Sequence, residues 1–359
     1  MKITSWATGE YIIGLLVSTG NMARRKYSTK KRMKKIEPAV QTLTFALALP
    51  AGNSNSFVDL SQVASLVNRR FYRQGINWAV AGFKILTNAG DVGGITIQKL
   101  PNTWVMSNAW EKGFRSWQRM NDLALEESES IRPRFLDFKV YADADHHAAG
   151  TAANLLPITF VGPATPGEWE MSKYVIPRTD STTGVPADRE VIATGASYSG
   201  AGASGFNAVS LIEGYASSRG LPNVLDPNVP DDAADASGVA PQNWMAALFN
   251  EGTEQDESIL EDMIAENNIA PYPFENDGVN VDTMYPGGAN QLSGLQIHDL
   301  SNVSSTTVGG TTRLKGGNFP CGLIKLSATN WSQVSTITLT IDLIPGNHRG
   351  YMCEPMTEM

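Results

Sequence analysis

TITLTIDLI, residues 336–344, places Ile337, Leu339, Ile341 and Leu343 on one side of an extended chain and Thr336, Thr338, Thr340 and Asp342 on the other. A period of two with a single apolar face is the pattern of a half-buried β-strand. QTLTFALALP, residues 41–50, repeats it near the start: Leu43, Phe45, Leu47 and Leu49 alternate with Thr42, Thr44, Ala46 and Ala48. Strands therefore open and close the body of the chain. Between them GGITIQKL (93–100), RFLDFKVYAD (134–143), LLPITFVG (155–162) and CGLIKLSAT (321–329) also read as strands, being rich in β-branched and aromatic residues.

Helices interrupt these strands without alternating with them. Leu60, Val63, Ala64, Val67 and Phe71 share one helical face, as do Trp110, Phe114, Trp117, Met120 and Ala124. Asn108 and Glu111 stand as a capping box for the second helix, and Pro133 closes it. DESILEDMIAENN, residues 256–268, reads as a third helix. It belongs to a stretch from Gly220 to Thr312 with 15 acidic residues and no Lys or Arg. LPNVLDPNVPDDAADASGVAP at its start reads as an exposed Pro- and Asp-rich loop. The pattern is an all-β scaffold, a β-sandwich, with helical insertions in long loops, one of them strongly acidic.

Charge is distributed unevenly. The chain of 359 residues carries 28 Lys plus Arg against 36 Asp plus Glu. Eight of the cations, Arg24, Arg25, Lys26, Lys30, Lys31, Arg32, Lys34 and Lys35, crowd into RRKYSTKKRMKK. With these, Lys2 and Glu10 set aside, 19 cations face 35 anions, and the body is near −16. The segment is too polar to bury a face and is expected to be disordered until its charge is met. A cationic arm on an acidic body points to nucleic acid, bound through phosphates and blind to sequence, with a nuclear import signal embedded in KKRMKK. A solvated tail and a membrane-surface segment are the plainer readings. EYIIGLLVSTG, within residues 1–21, is too short to span a bilayer, and its cations follow the apolar run instead of preceding it. Met22 is read as the initiator, with residues 1–21 an extension upstream of it.

Catalytic signals are sparse. Cys321 and Cys353 form no CxxC motif and no disulfide framework. Gly200, Gly202 and Gly205 match GxGxxG, with the strand-like EVIAT before, the helix-like FNAVSLIEGY after and Asp226 downstream. That spacing suits a dinucleotide loop, but Gly195-Ala-Ser-Tyr-Ser intervenes and no regular strand–helix alternation follows, so a flexible connection is the competing reading. In YADADHHAAG, residues 141–150, Asp143, Asp145, His146 and His147 crowd together, but adjacent histidines on an extended segment face opposite ways. A polar loop is expected there ahead of a metal site. The acidic stretch lacks the spacing of a calcium loop and is expected to be a solvated surface. No metal, cofactor or enzymatic activity is expected.

The basic arm, the amphipathic opening strand, the helical insertions and the final strand running into LIPGNHRGYMCEPM (343–356) together resemble capsid proteins of small circular Rep-encoding single-stranded DNA viruses, of the environmental, unclassified kind. The resemblance implies a single jelly roll over residues 41–345 with an acidic insertion at about 206–290, preceded by a basic arm over 22–40 and followed by a C-terminal tail over 346–359. It implies a self-assembling icosahedral shell, with the eight arm cations on a viral genome of single-stranded DNA, and a host nuclear import receptor as a further partner. Location in the virion, and in the host nucleus during assembly, follows from the same likeness. The alternatives are a cellular nuclear protein with a nucleic-acid-binding tail and a dinucleotide-dependent enzyme built on Gly200, Gly202 and Gly205.

Overall fold

The computed structural model describes residues 38–127, 130, 137–159, 161–177, 186–219, 245, 294–304 and 310–359. Its strands are β1 (Thr42–Leu49), β2 (Gly52–Asp59), β3 (Ile76–Leu86), β4 (Gly93–Lys99), β5 (Lys173–Ile176), β6 (Ala187–Ile192), β7 (Asn207–Ser210), β8 (Gln296–Val303), β9 (Thr311–Phe319), β10 (Leu323–Trp331), β11 (Ser335–Leu343) and β12 (Cys353–Pro355). The helices are α1 (Leu60–Asn68), α2 (Trp104–Glu127), α3 (Ala144–Ala149) and α4 (Leu211–Arg219). Strand outweighs helix, and the two larger sheets are antiparallel.

One sheet has the order β1-β11-β3-β9, with β12 added to the start of β3, and the other has the order β8-β4-β10-β2. The two segments with the clearest alternation are partners: β1 runs against β11 from Thr42 opposite Asp342 to Leu49 opposite Ser335. Their apolar sides enter one cluster with Trp78, Val80, Phe83 and Ile85 of β3, Ile95 and Ile97 of β4, and Ile324 and Leu326 of β10. Both sheets thus bury one face in a shared core, each large aliphatic side chain contributing about 1.5–3 kcal/mol. The threonines of β1 and β11 lie on the opposite side, half-buried or exposed.

The sandwich edges are closed by local devices. β1 and β2 are edge strands on the same side, and residues 154–157 run along both: Leu155 N–H donates to Phe57 O at 2.8 Å, and Pro157 bridges Phe45. On the other side Lys315 N–H of β9 donates to Asp299 Oδ2 of β8 at 2.8 Å, and His298 Nε2 donates to Lys315 O at 3.0 Å. The chain end is drawn in as well, since Tyr351 and Met356 are buried and β12 extends β3 where β11 stops.

The interruption between β4 and β8 runs from Leu100 to Leu295 and so begins well before the acidic stretch. It holds α2, α3, α4 and a three-stranded sheet of order β5-β6-β7. A second core lies beneath it, where Val105, Met106, Ala109 and Trp110 of α2 meet Phe138, Tyr174, Val191, Leu211 and Ile212. Leu323 of β10 and Met356 join this cluster, so the second sheet is covered on both faces.

Several expectations are corrected. In RFLDFKVYAD, residues 134–136 lie outside the described residues, residues 137–140 form no regular strand, and Tyr141 bridges Ile192. LLPITFVG yields only Ile158–Thr159, paired with Gly162–Pro163, because Leu155 and Pro157 serve to cover the sandwich edge. α1 keeps Leu60, Val63 and Ala64 inward, but it ends at the left-handed Arg69, so Phe71 lies beyond it. α2 starts at Trp104, with Thr103 Oγ1 accepting from Met106 N–H at 3.4 Å, which leaves Asn108 inside the helix and not at its cap. Ala124 is exposed while Leu125 is buried. Pro133 and the stretch 256–268 lie outside the described residues.

Candidate functional site

All eight arm cations, Arg24 to Lys35, lie outside the described residues. Among the described residues, a gathering of titratable side chains sits where the insertion covers β2 and β10. Because Val58, Ile324 and Leu326 turn toward the shared core, their neighbours Phe57 and Lys325, directly opposite one another, turn toward the insertion. Lys325 Nζ lies 2.6 Å from Asp143 Oδ2 and 2.6 Å from Asp145 Oδ2. Asn55 Nδ2 donates to Asp145 Oδ2 at 3.1 Å, and the ammonium lies 5.7 Å from the Phe57 ring centre. Burial alone would lower the Lys325 pKa, but the two carboxylates outweigh it and hold the side chain charged. Burial raises Asp143 even with Lys325 beside it.

The expectation of a polar loop at YADADHHAAG is corrected: the segment is a capped helical turn inside the protein. Asp143 is the N-cap of α3, its Oδ1 accepting from His146 N–H at 2.9 Å. His146 and His147 are fully buried. His146 Nδ1 accepts from Ala142 N–H at 3.0 Å, and Nε2 donates to Asn154 Oδ1 at 2.8 Å. Those two bonds fix the neutral tautomer with its proton on Nε2 and leave neither nitrogen for a metal. The ring stacks on Phe57 at 4.5 Å, and burial pushes its pKa down to about 4. Asn154 Nδ2 then donates to Gln62 Oε1 at 3.0 Å, which carries the network into α1.

His147 Nε2 lies 2.9 Å from Glu190 Oε2, and Ser204 Oγ donates to the same oxygen at 2.6 Å. Hydroxyl and imidazole thus meet one carboxylate oxygen and not each other, whereas an activated nucleophile needs the base on the hydroxyl. Among the described residues, no group of three or more His, Cys, Asp or Glu could hold a metal ion. Asp59 is the other anchor. It accepts from Ser61 N–H and Gln62 N–H at the start of α1, from Gln74 Nε2 at 3.0 Å and from Trp169 Nε1 at 3.1 Å. Burial raises its pKa to about 6 in spite of those four donors. Gln74 in turn brackets Val140, accepting its N–H at 2.6 Å and donating to its carbonyl at 3.1 Å. The arrangement fastens the insertion to the sandwich through polar bonds.

The glycine loop is corrected in the same direction. FNAVSLIEGY is not a helix throughout: Asn207–Ser210 is β7, parallel to β6, and α4 starts only at Leu211. The glycines therefore lead into a strand, with no helix N-terminus at their end to cradle a phosphate. Two of the three, Gly200 and Gly202, serve close packing. A Cβ on Gly200 would stand 2.4 Å from the Tyr198 hydroxyl, and one on Gly202, whose φ is +55°, would stand 2.6 Å from His147 Cε1. Asp226 lies outside the described residues.

A sequence signal for this junction does exist in retrospect. Asp143 stands three residues before His146 and Asp59 three before Gln62, the spacing of an N-cap. The pairing of Lys325 with Asp143 across 182 positions has no local signature. Among the described residues no helix is long and apolar enough to cross a membrane. Compared with known protein families, curated proteins and solved structures, the chain matches none.

Proposed function

We propose that this chain is a viral capsid subunit whose body is a single jelly roll, and which self-assembles into a closed shell around a nucleic-acid genome. The observation that carries the reading is the order of the eight sandwich strands. Counted along the chain, one sheet reads first, eighth, third, sixth, and the other fifth, fourth, seventh, second. That is the order produced when a long antiparallel hairpin of strands is rolled into two facing sheets, as in jelly rolls. A large insertion between the fourth and fifth strands leaves this order undisturbed.

The division of charge supports the same reading. A shell must hold a polyanion inside and stay soluble outside, so cations and anions belong on different surfaces. Arg24, Arg25, Lys26, Lys30, Lys31, Arg32, Lys34 and Lys35 supply the cations, and the stretch from Gly220 to Thr312, with 15 acidic residues and no Lys or Arg, supplies anions. The cargo in this reading is single-stranded DNA, the locations are the virion and the host nucleus, and the role is assembly without bond-breaking chemistry.

Negative-stain microscopy of the purified protein tests the proposal. Uniform closed particles are expected. Discrete monomers or dimers that bind DNA would favour a cellular nucleic-acid-binding protein instead, and stabilisation by a dinucleotide would favour an enzyme.

A further inference from the structure

The body of this protein is acidic, yet three short segments of it that meet in the fold are basic when taken as a group: PAVQ (38–41), NRRFYRQG (68–75) after α1, and PGNHRG (345–350) after β11. Together they hold Arg69, Arg70, Arg73 and Arg349, with no Asp or Glu among them. Four of the 19 cations of the body thus fall on two loops.

Hydrogen bonds pin the three segments to one another. Val40 N–H donates to Asn68 Oδ1 at 3.0 Å, Asn68 Nδ2 donates to the Tyr351 hydroxyl at 2.7 Å, and that hydroxyl donates to Val40 O at 2.6 Å. Tyr72 donates its hydroxyl proton to Arg349 O at 3.0 Å, and the Arg349 guanidinium donates to Phe71 O. Tyr72, Tyr351 and Trp78 pack together beneath with ring centres 5.4–5.9 Å apart, which gives the loops a rigid floor. Arg69 and Arg349 both hold the left-handed backbone conformation, with φ of +55° and +50°. The left-handed turn at Arg69 ends α1, and the one at Arg349 reverses the chain between the bridged His348 and Tyr351, so both side chains stand at fixed turns of the backbone. Arg69, Arg73 and Arg349 are exposed and Arg70 is half-buried. Burial and the neighbouring Arg349 together lower the pKa of His348, consistent with a positive local field.

We infer that Arg69, Arg70 and Arg349 form a fixed phosphate-binding collar on the folded body, which takes up single-stranded nucleic acid together with the arm. The inference rests on the reading that nucleic acid is the cargo. Chain continuity favours this occupant over an acidic protein: Lys35, the last arm cation, stands only a few residues before Val40 in sequence, so one polyanion can satisfy both. Arginines carried on hydrogen-bonded loops complement a cationic segment, because the backbone that presents their phosphate-binding forks is already held in place. Arg73 is left out of the collar since its charge also faces Asp137.

The test is a salt titration of the full chain on two unrelated labelled single-stranded oligonucleotides. Each phosphate contact on a single strand contributes about −0.7 to the slope of log K against log salt, so the combined Arg69→Gln, Arg70→Gln and Arg349→Gln variant should flatten the slope by about 2 and weaken both oligonucleotides alike. The corresponding triple Lys variant should retain most of the slope, since it keeps the charge. An unchanged slope in the Gln variant overturns the collar, and so does a Lys variant that loses as much as the Gln variant, because charge would then not be the cause. Absence of binding by the unaltered chain overturns it also. The readout needs no particles, so failure of shell assembly and failure of the collar are separate results.

Discussion

Lys325 on β10 and Asp143 at the start of α3 lie 182 residues apart in sequence and 2.6 Å apart in space, each side chain no more than 4% exposed. The contact joins the face of the second sheet to the insertion that covers it. A buried ion pair adds little net stability over a well-packed apolar pair, but removing one member strands the other without water.

Lys325→Met should therefore lower stability by about 3–5 kcal/mol, because Asp143 keeps its helix-capping place and loses its cation. Adding Asp143→Asn should recover part of the loss. Asp145 makes an equally short contact but is 59% exposed, so Asp145→Asn should cost less than about 1 kcal/mol. Urea denaturation of the three variants decides. Equal losses for Lys325→Met and Asp145→Asn would mean that the junction is wet.

The sandwich register makes a sharper demand. Leu339 is fully buried between the sheets, opposite Phe45, while Thr338 points out of the same strand and is half-buried. Leu339→Asp should abolish soluble protein by burying an unpaired carboxylate, and Thr338→Asp should be mild. Expression yield and thermal melting read both. Similar damage from the two would place the wrong face inward.

β1 and β11 were legible because one face of each is buried and the other is not, which writes the alternation into the sequence. GNSNSFVD (β2) lacks that signature, since Phe57 and Asp59 are buried on the side away from the shared core. β3, β8 and β9 escaped for related reasons: Asn77 and Gly82 interrupt the first, polar residues dominate the second, and Gly316 and Gly317 break the third. The buried cluster around His146 reads as a polar loop in sequence because its burial depends on partners such as Phe57 and Lys325, each far from it along the chain. The arm was the plainest functional signal in the chain, and the described residues begin after it.

Acidification should separate two opposing groups at the junction. An unfolded chain protonates His146 near 6.5 and the folded one only near 4, so between those values the unfolded state gains protons and stability falls as pH drops. Asp59 acts in reverse: folded, it takes its proton near 6, and unfolded only near 3.8, so it adds stability as pH falls through 6. Relative to their own values at about pH 7, His146→Gln should lose less stability than the unaltered protein at about pH 5, and Asp59→Asn should lose more. Urea titrations at both pH values give the differences. Parallel curves for all three proteins would remove both residues from the pH response.

The glycine loop offers a test between packing and cofactor binding. Gly202→Ala must fit a Cβ 2.6 Å from His147 Cε1 and 2.9 Å from His147 O at a φ of +55°, and should cost about 1–3 kcal/mol. Gly205→Ala meets only the backbone penalty, because nothing lies within 4 Å of its Cβ at a φ of +83°. Melting temperatures should fall more for Gly202→Ala, and an added dinucleotide should shift none of them. Stabilisation by a dinucleotide that Gly202→Ala abolishes would revive the enzyme reading.

On the proposed shell reading, deleting residues 22–36 should leave the melting temperature unchanged while emptying the particles. The deletion removes all eight arm cations, whereas among the described residues the core cluster begins at Leu43 with Ala39 packed against it. A segment so rich in Lys and Arg carries little apolar surface for folding to lose, and binding loses its main source of phosphate contacts. The ratio of nucleic-acid to protein absorbance in assembled particles reads the second effect, and calorimetry the first. A preserved ratio would move the cargo contacts from the arm to the folded body, where Arg69, Arg70 and Arg349 would have to hold the genome alone. Three guanidinium groups per subunit leave room for only about three phosphate contacts each, so any retained cargo should then wash out at moderate salt.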